Sequence, residues 1–291
     1  MPILPVGNDR LRAAVNTHGA ELWSVQTGNG AEWLWQGDAT WWSGRAPILF
    51  PIVGRTFNNA ISVDGKRYPM GIHGFCRQAD FSVVEAQKDS VRLRLSDSPA
   101  TREQYPFAFR LDLVFAVEGD SVVNRAEVHN PGSKPMPFSF GFHPAFKWPV
   151  PGGGGEQHWL MLDEPEEPPT TRLGKDLMTA PETEPSLFRA GRYPPQPADF
   201  ERDALILDGM RSRAISFGVD GGPRVDVTFA DLPTLGLWQK PGAPYICIEP
   251  WHGATPYVGG SDDIAQRPGN VWLEPGATRS FTMTLIPHPA G

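Results

Sequence analysis

An alternation of apolar and polar residues with a period of two is the feature that most constrains the fold of this chain. It runs through residues 109–117, where phenylalanine, leucine or valine occupies every second position, and it recurs at 91–95, 225–229 and 281–285. Successive side chains of a β-strand point to opposite faces, so each segment gains one apolar and one polar face. The pattern is typical of antiparallel strands that pack one face on a core and leave the other in water.

Turn signals separate these segments at short intervals, as at 64–65 (Asp-Gly), 130–132 (Asn-Pro-Gly) and 274–276 (Glu-Pro-Gly). Glycine and proline number 31 each, a density that suits turns and interrupts long helices. The sequence holds no convincing amphipathic helix, although residues 99–104 could form a short helical turn. Many short strands with dense turns predict an all-β fold, either a sandwich or a barrel.

The middle of the chain has the least regular pattern. Three stretches there are rich in glycine, proline or acidic residues and are predicted to be exposed loops: 151–155, 163–169 and 179–197. Strand-like segments at 159–162 and 204–207 interrupt this polar region. We therefore predict a single domain over residues 1–291 rather than two domains.

Charge and cysteine content narrow the classes of partner. A net charge of −7 and a pI near 5.5, with scattered lysines and arginines, argue against nucleic acid or an anionic membrane as the main partner. Two cysteines give neither a disulfide framework nor a metal-ligand spacing. No apolar run approaches the roughly 20 residues that span a bilayer, and the first residues do not resemble a signal peptide. We expect a reduced, cytoplasmic setting.

The first candidate for chemistry is His143, in the stretch Pro-Phe-Ser-Phe-Gly-Phe-His-Pro-Ala-Phe at 137–146. Pro144 disfavours the helical region for the residue before it, which predicts that His143 closes a strand. Gly141, on the same face of that strand, leaves room for another group to approach the backbone. By itself the stretch fits equally well a partly buried histidine that bonds a backbone carbonyl.

The second candidate region combines arginines with a histidine between glycines. Arg45 and Arg55 bracket a buried-type apolar run, and His73 and Arg77 follow shortly after it. A lone arginine is usually a solvated side chain or half of a structural ion pair. Three arginines around one His-Gly motif favour an anionic or hydroxyl-rich ligand.

The third candidate is Glu249, in the run Pro-Tyr-Ile-Cys-Ile-Glu-Pro-Trp-His-Gly at 244–253. Alternation sets Glu249 opposite the apolar face, and Pro250 is expected to end the strand there. A carboxylate in such a setting is costly unless it is paired or useful, and partial burial would raise its pKa and make it a better base. The ordinary interpretation is a strand-end glutamate that faces water.

Two histidines and one glutamate, each beside glycine or proline, suggest one site with acid and base partners. The chain lacks the closely spaced histidine pairs that seed metal sites and the Gly-x-Ser-x-Gly turn of serine hydrolases. Glycoside hydrolysis needs two carboxylates across the scissile bond, and only one carboxylate in this sequence has a convincing setting. Proton transfer between one acid and one base remains.

Four sequence blocks resemble the aldose 1-epimerase (galactose mutarotase-like) superfamily, and most of all its branch of short bacterial proteins. The blocks are Arg-Ala-Pro-x-Leu-Phe-Pro-Ile-Val-Gly-Arg at 45–55, His-Gly-Phe-x-Arg at 73–77, Gly-Phe-His-Pro-x-Phe at 141–146 and Cys-Ile-Glu-Pro-Trp at 247–251. They occur in the family's order, and the tail at 271–285 matches too. The resemblance implies a large antiparallel β-sandwich, the galactose mutarotase-like supersandwich, with the site in a cleft on one face.

The resemblance also implies roles for individual residues. The general acid of the family matches His143, the general base matches Glu249, and the second active-site histidine matches His73. The sugar-contacting arginine matches Arg55, and an aspartate that binds sugar hydroxyls matches Asp203.

This chain departs from the branch at His252, where many members have tyrosine, and in the loop at 253–268.

The reaction implied is anomerisation of an aldohexose, without cofactor or metal. Glu249, ionised at the start, takes the proton of the C1 hydroxyl while protonated His143 donates to the ring oxygen. The ring opens, the C1–C2 bond rotates and closure gives the other anomer. A non-catalytic carbohydrate-binding protein and a metal-dependent sugar isomerase remain open as alternatives. The oligomeric state is not predicted.

The sugar could be a free aldose or a hexose 6-phosphate. Arg45 and Arg77 stand near the His-Gly-Phe block, where they could hold a phosphate through charge-assisted bonds, while Arg55 suits a hydroxyl contact. The net negative charge repels anions at long range, but nearby charges outweigh it within about 10 Å, the Debye length near 0.1 M salt, so the net charge alone does not decide. We favour an unphosphorylated aldose.

Overall fold

The computed structural model describes residues 2–290. The strands of the first half are β1 Ile3–Gly7, β2 Leu11–Asn16, β3 Glu21–Thr27, β4 Ile48–Leu49, β5 Ala60–Val63, β6 Lys66–Pro69, β7 Ser82–Ala86, β8 Ser90–Ser96, β9 Arg110–Glu118, β10 Ser121–His129, β11 Met136–Phe138, β12 Phe140–Phe142 and β13 Ala145–Lys147. Those of the second half are β14 His158–Leu162, β15 Thr170–Leu173, β16 Thr179–Glu184, β17 Arg192–Tyr193, β18 Leu205–Leu207, β19 Ala214–Val219, β20 Arg224–Ala230, β21 Thr234–Trp238, β22 Tyr245–His252, β23 Val271–Leu273 and β24 Thr278–His288.

Helical structure in the described part of the chain is confined to short segments. The α-helix α1 covers Pro99–Arg102, within the short helical turn predicted at 99–104. Ser98 caps it by accepting from the Thr101 N–H, and the Thr101 hydroxyl accepts from the Ser98 N–H in return. Single 3₁₀ turns lie at Phe57–Asn59, Cys76–Gln78, Lys175–Leu177, Pro197–Phe200 and Ile264–Gln266. No helix within residues 2–290 is long and apolar enough to cross a membrane.

Two large antiparallel sheets dominate the fold, which confirms the predicted all-β sandwich class. One has nine strands in the order β17-β14-β19-β20-β24-β10-β9-β8-β7, and it contains all four segments in which the alternation was found. The other runs β16-β15-β18-β21-β22-β12-β4, with β13 also paired to β22. Smaller sheets join β1-β2-β3, β5-β6 and β11-β23.

The two large sheets share one hydrophobic core. Leu205, Leu235 and Ile248 of the eight-stranded sheet belong to the same buried cluster as Phe115 and Leu285 of the nine-stranded sheet. Because side chains alternate along a strand, the residues between these positions on β18, β21 and β22 point to the other face of the eight-stranded sheet. That outer face carries the candidate site.

One predicted loop contains regular structure. The stretch 179–197, expected to be an exposed loop, includes the strands β16 and β17. Each is an edge strand of its sheet, so each pairs with only one other strand of that sheet. An edge strand tolerates polar residues and proline such as Pro181, which is why its sequence does not show the usual alternation.

Candidate active site

The strand register brings His143 and Glu249 together. Phe140 pairs with His252 across β12 and β22, and Ala145 pairs with Cys247 across β13 and β22, so both pairings follow the same antiparallel register. In this register the break between β12 and β13 sets His143 opposite Glu249. The His143 Nε2 and Glu249 Oε2 atoms are 3.2 Å apart, and both side chains are buried.

Pro250 does not end the strand, contrary to the prediction from the sequence. Strand β22 continues to His252, so Glu249 lies within it. The Ile248 N–H bonds the Pro144 carbonyl in the break between β12 and β13. N–H groups two residues apart point to the same side, so the missing N–H of Pro250 faces Phe142, the last residue of β12, where the pairing of β12 with β22 ends.

A cavity of about 220 Å³ opens over this pair on the outer face of the eight-stranded sheet. It is smaller than the roughly 300–1,000 Å³ of pockets for drug-sized ligands, which suits a small polar ligand. Five of the predicted site residues line it besides Glu249, namely Arg55, His73, Arg77, His143 and Asp203. Its remaining lining is Trp42, Pro47, Gly54, Ile72, Leu173, Leu177, Ala204, Ile206, Trp238, Trp251 and Thr255.

Trp251 forms part of the cavity wall because two glycines make room for it. A Cβ atom on Gly141 would lie 2.6 Å from the Trp251 ring, and one on Gly236 would lie 2.5 Å from it. Gly141 and Gly236 sit on the strands at either side of β22, so the indole lies over both backbones. The open face predicted at Gly141 is therefore filled by Trp251.

His73 is fixed in one tautomer by its neighbour Gly54. The Gly54 N–H donates to His73 Nδ1 over 3.0 Å, and the His73 N–H donates to the Gly54 carbonyl over 2.8 Å. Since Nδ1 accepts, the ring proton lies on Nε2. His73 has a positive φ of 62°, and its ring centroid is 5.7 Å from that of His143. Burial, reinforced by the charge of His143 and nearby arginines, keeps the pKa of His73 well below its usual value.

Of the arginines predicted to bind substrate, Arg55 and Arg77 line the cavity and Arg45 does not. The Arg45 guanidinium stacks on Trp23 at 3.7 Å and donates to the Trp23 carbonyl and to Gln36. These contacts hold the guanidinium away from the cavity, so the structure does not bring Arg45 together with the other predicted site residues. Asp203 lies at the cavity edge with a positive φ of 68° and accepts a bond from the Ala204 N–H.

Burial shifts the pKa values of His143 and Glu249, the central pair of the site, in opposite directions. It raises the pKa of Glu249 well above its usual value, and the negative charge of Asp203 adds to this rise. The Trp251 indole opposes part of the rise, although its N–H lacks a hydrogen bond of ordinary geometry. Burial also lowers the pKa of His143 to about 3. The buried pair therefore favours a neutral carboxyl group and a neutral imidazole.

The sequence interpretation missed the aromatic frame around His143. Trp42 stacks on the imidazole with ring centroids 5.1 Å apart, and Trp238 meets it edge-on at 6.1 Å. A surplus of ten tryptophans was the available signal, but large rings more often fill a core. Here Trp42 and Trp238 are half-buried and line the cavity.

Arg267 was missed as well, and it binds the backbone of the two segments that carry Arg55 and Thr255 of the cavity lining. Its guanidinium is buried and donates to the backbone carbonyls of Val53, Arg55 and Ala254. Burial lowers the pKa of Arg267 to about 9. It lies in the 253–268 loop, whose role the sequence left open, and it ties this loop to the segment that carries Arg55.

His252 lies outside the cavity lining. Its Nδ1 atom is 3.0 Å from the Asp231 carbonyl oxygen, and its ring contacts Phe281 with centroids 5.8 Å apart. Its difference from the branch pattern therefore falls beside the site rather than in it.

The central pair predicts how stability depends on pH. Burial makes the folded pair keep one proton at pH values where unfolded Glu249 and His143 have both lost theirs. Above about pH 6.5, and below the raised pKa of folded Glu249, the folded state holds up to one proton more, so the free energy of unfolding should fall as the pH rises, by at most about 1.4 kcal/mol per pH unit. Urea titrations between about pH 6.5 and 8 should show this slope in the wild type and its loss in Glu249→Gln. An equal slope in both proteins would contradict a retained proton.

Comparisons with known proteins identify the family of the chain. The profile of the family described as aldose 1-epimerase matches residues 2–285. The plasmid-encoded protein LacX of Lactococcus lactis subsp. lactis is 30% identical over 292 residues, covering 96% of this chain and 98% of the relative.

Two solved structures share the fold over almost their full length. A galactose mutarotase related enzyme from Lactobacillus acidophilus has a TM-score of 0.92 and 29% identity, with 99% of this chain and 98% of that chain covered. A galactose mutarotase-like protein from Lactobacillus casei has a TM-score of 0.90 and 25% identity, with 99% and 100% covered.

Proposed function

The chain belongs to the aldose 1-epimerase family and is an isomerase that acts on a sugar, and on this premise we propose that it interconverts the α and β anomers of an unphosphorylated aldohexose. The observation that carries the proposal is the direct contact between His143 and Glu249, 3.2 Å apart on the floor of the cavity. A carboxyl group and an imidazole in contact can accept one proton and donate another within one active site.

In the proposed reaction, Glu249 takes the proton of the C1 hydroxyl group while His143 gives a proton to the ring oxygen. The C1–O5 bond breaks and leaves an aldehyde and a free O5 hydroxyl group. Rotation about C1–C2 presents the other face of the aldehyde. On closure His143 recovers the O5 proton and Glu249 returns its proton to O1, so the enzyme ends each cycle as it began.

The cycle needs an ionised Glu249 and a protonated His143, whereas burial by itself favours the neutral pair. Passing one proton from Glu249 to His143 across the 3.2 Å contact generates the reactive pair without exchange with solvent. Hydrogen bonds from the C1 hydroxyl to the carboxylate and from the imidazolium to the ring oxygen stabilise the charged form when sugar binds.

The other cavity residues fit a sugar that is held by its hydroxyl groups and its ring face. Asp203 offers carboxylate acceptors, and Arg55 offers guanidinium donors. The indoles of Trp42 and Trp251 provide apolar surfaces for the C–H faces of the ring. His73, with its proton on Nε2, supplies a further donor beside His143.

A second candidate, a hexose 6-phosphate as substrate, is favoured by one observation. Arg55 and Arg77 both line the cavity, and the described residues offer neither guanidinium an ion pair within 4.0 Å. Their Nε atoms are also buried without a hydrogen-bond partner. Two such groups could bind a phosphate through charge-assisted bonds.

Anomer exchange followed by polarimetry or NMR tests both candidates. We expect faster mutarotation of fresh α-D-glucose or α-D-galactose and a higher kcat/KM for glucose than for glucose 6-phosphate. Saturable binding without faster mutarotation would make the protein a binder. A preference of about 10²-fold or more for the phosphate, lost in Arg77→Ala but kept in the control Arg45→Ala, would establish the second candidate.

A further inference from the structure

Three different metal-ligand types converge beside the cavity. One ligand atom each from His143, Cys247 and Glu249 lies within 4.8 Å of the others, and all three side chains are buried. Cys247 is a free cysteine and is not among the cavity-lining residues, so nothing in the proposed proton transfers uses its thiol.

The strand pairing produces this cluster. Cys247 and Glu249 are two residues apart on β22, so their side chains share the outer face of the sheet. His143 reaches them from the adjacent chain segment, because the register that pairs Ala145 with Cys247 sets His143 opposite Glu249. The sequence spacing concealed the site, since the ligands come from segments about a hundred residues apart.

We propose that His143, Cys247 and Glu249 bind a thiophilic divalent transition-metal ion of the Zn²⁺ class, and that the bound ion inactivates the enzyme. The donor set joins thiolate, imidazole and carboxylate, which are the ligand types that zinc accepts. Tetrahedral zinc places its donors about 3.4–3.8 Å apart, so the widest separation here must close by about 1 Å. The fourth position would be left to water.

Charge balance favours the exchange of protons for a metal ion. Zinc displaces a proton from each of its two acidic ligands, Cys247 and Glu249, so two positive charges enter as two leave. The net charge of the buried cluster is then unchanged. The charged side chains that face the cavity from other segments are Asp203, Arg55 and Arg77, and the exchange leaves the net charge they meet unchanged.

Inactivation follows from the ligands that the ion would occupy, and this part rests on the proposed function. A metal ion on the Glu249 carboxylate and the His143 imidazole takes the lone pairs that the two proton transfers need. Sugar and metal ion should therefore compete. Metal binding itself can be observed whether or not the chain is an epimerase, which separates failure of this proposal from failure of the proposed function.

The test uses Co²⁺ as a spectroscopic probe and Zn²⁺ as the inhibitor, with Cys76→Ser as the matched control because Cys76 is the other buried free cysteine. We expect Co²⁺ to give the near-ultraviolet charge-transfer band of a cobalt–thiolate bond in the wild type and in Cys76→Ser, and to give none in Cys247→Ser. Mutarotation is then titrated with Zn²⁺, and each activity is divided by the activity of the same protein in the presence of a chelator. Half-inhibition of Cys247→Ser should require at least ~10-fold more Zn²⁺ than half-inhibition of the wild type.

Absence of the thiolate band in the wild type would overturn the proposal, as would equal Zn²⁺ sensitivity in Cys247→Ser. If Cys247→Ser does not fold, Cys247→Ala serves for the same comparison. If mutarotation cannot be measured, the cobalt band and its loss on removal of Cys247 still decide whether the cluster binds metal.

Discussion

Glu249→Gln should lower kcat by about 10²-fold or more and leave KM nearly unchanged. Glutamine keeps the volume and hydrogen-bonding capacity of the side chain but cannot take the C1 hydroxyl proton. Because burial already favours the neutral carboxyl group at this position, the uncharged amide should fit without unfolding the protein. Steady-state mutarotation kinetics and thermal unfolding of the same preparation measure the two effects.

The matched control is Glu85→Gln, which makes the same chemical change on the exposed edge strand β7. It should retain the wild-type rate. If Glu249→Gln also turned over at the wild-type rate, Glu249 could not be the base, and the roles assigned to the central pair would have to be revised.

The sequence could predict the strands because alternation is a local signal. Segments such as 91–95 and 281–285 became β8 and β24 of the nine-stranded sheet because each has one face to bury. The edge strands β16 and β17 bury little, so their sequences carry no such signal. Pro250 did not end its strand as predicted, because its missing N–H faces Phe142, where the pairing of β12 with β22 ends anyway.

The site was harder to predict than the fold because its geometry depends on pairing between distant segments. Local sequence marked His143 and Glu249 as unusual, but the 3.2 Å contact between them comes from the register of β22 with β12 and β13. Nothing local distinguished Arg45 from Arg55, and only the position of Trp23 shows why Arg45 is turned away. Such long-range neighbours are what a single sequence does not reveal.

Arg267 illustrates a residue that no motif could identify. It binds three backbone carbonyls and no carboxylate among the described residues, so neither charge pairing nor spacing marks it. Its contribution appears only once the chain has folded around it, when it joins the loop before it to the segment of Arg55. The part of a site that positions other residues is therefore the part that sequence patterns show least.

His143→Asn should lower kcat by about 10²-fold or more, because asparagine can donate a hydrogen bond to the ring oxygen but cannot deliver a proton. His73→Asn should be milder, since an asparagine oxygen can still accept the Gly54 N–H that His73 Nδ1 accepts now. An exposed-face control, His18→Asn, should match the wild type, because His18 pairs with Asp80 away from the cavity.

The double variant His143→Asn, Glu249→Gln gives the sharper test, because two groups that exchange protons act as a unit. Once either partner is lost, the other has no proton to pass on, so the double variant should be scarcely slower than the slower single variant. Losses that simply multiply would mean that the two groups act independently, despite the 3.2 Å between them. An active His143→Asn beside an inactive His73→Asn would assign the role of the acid to His73. The ring centroid of His73 lies 5.7 Å from that of His143, and its proton is on Nε2.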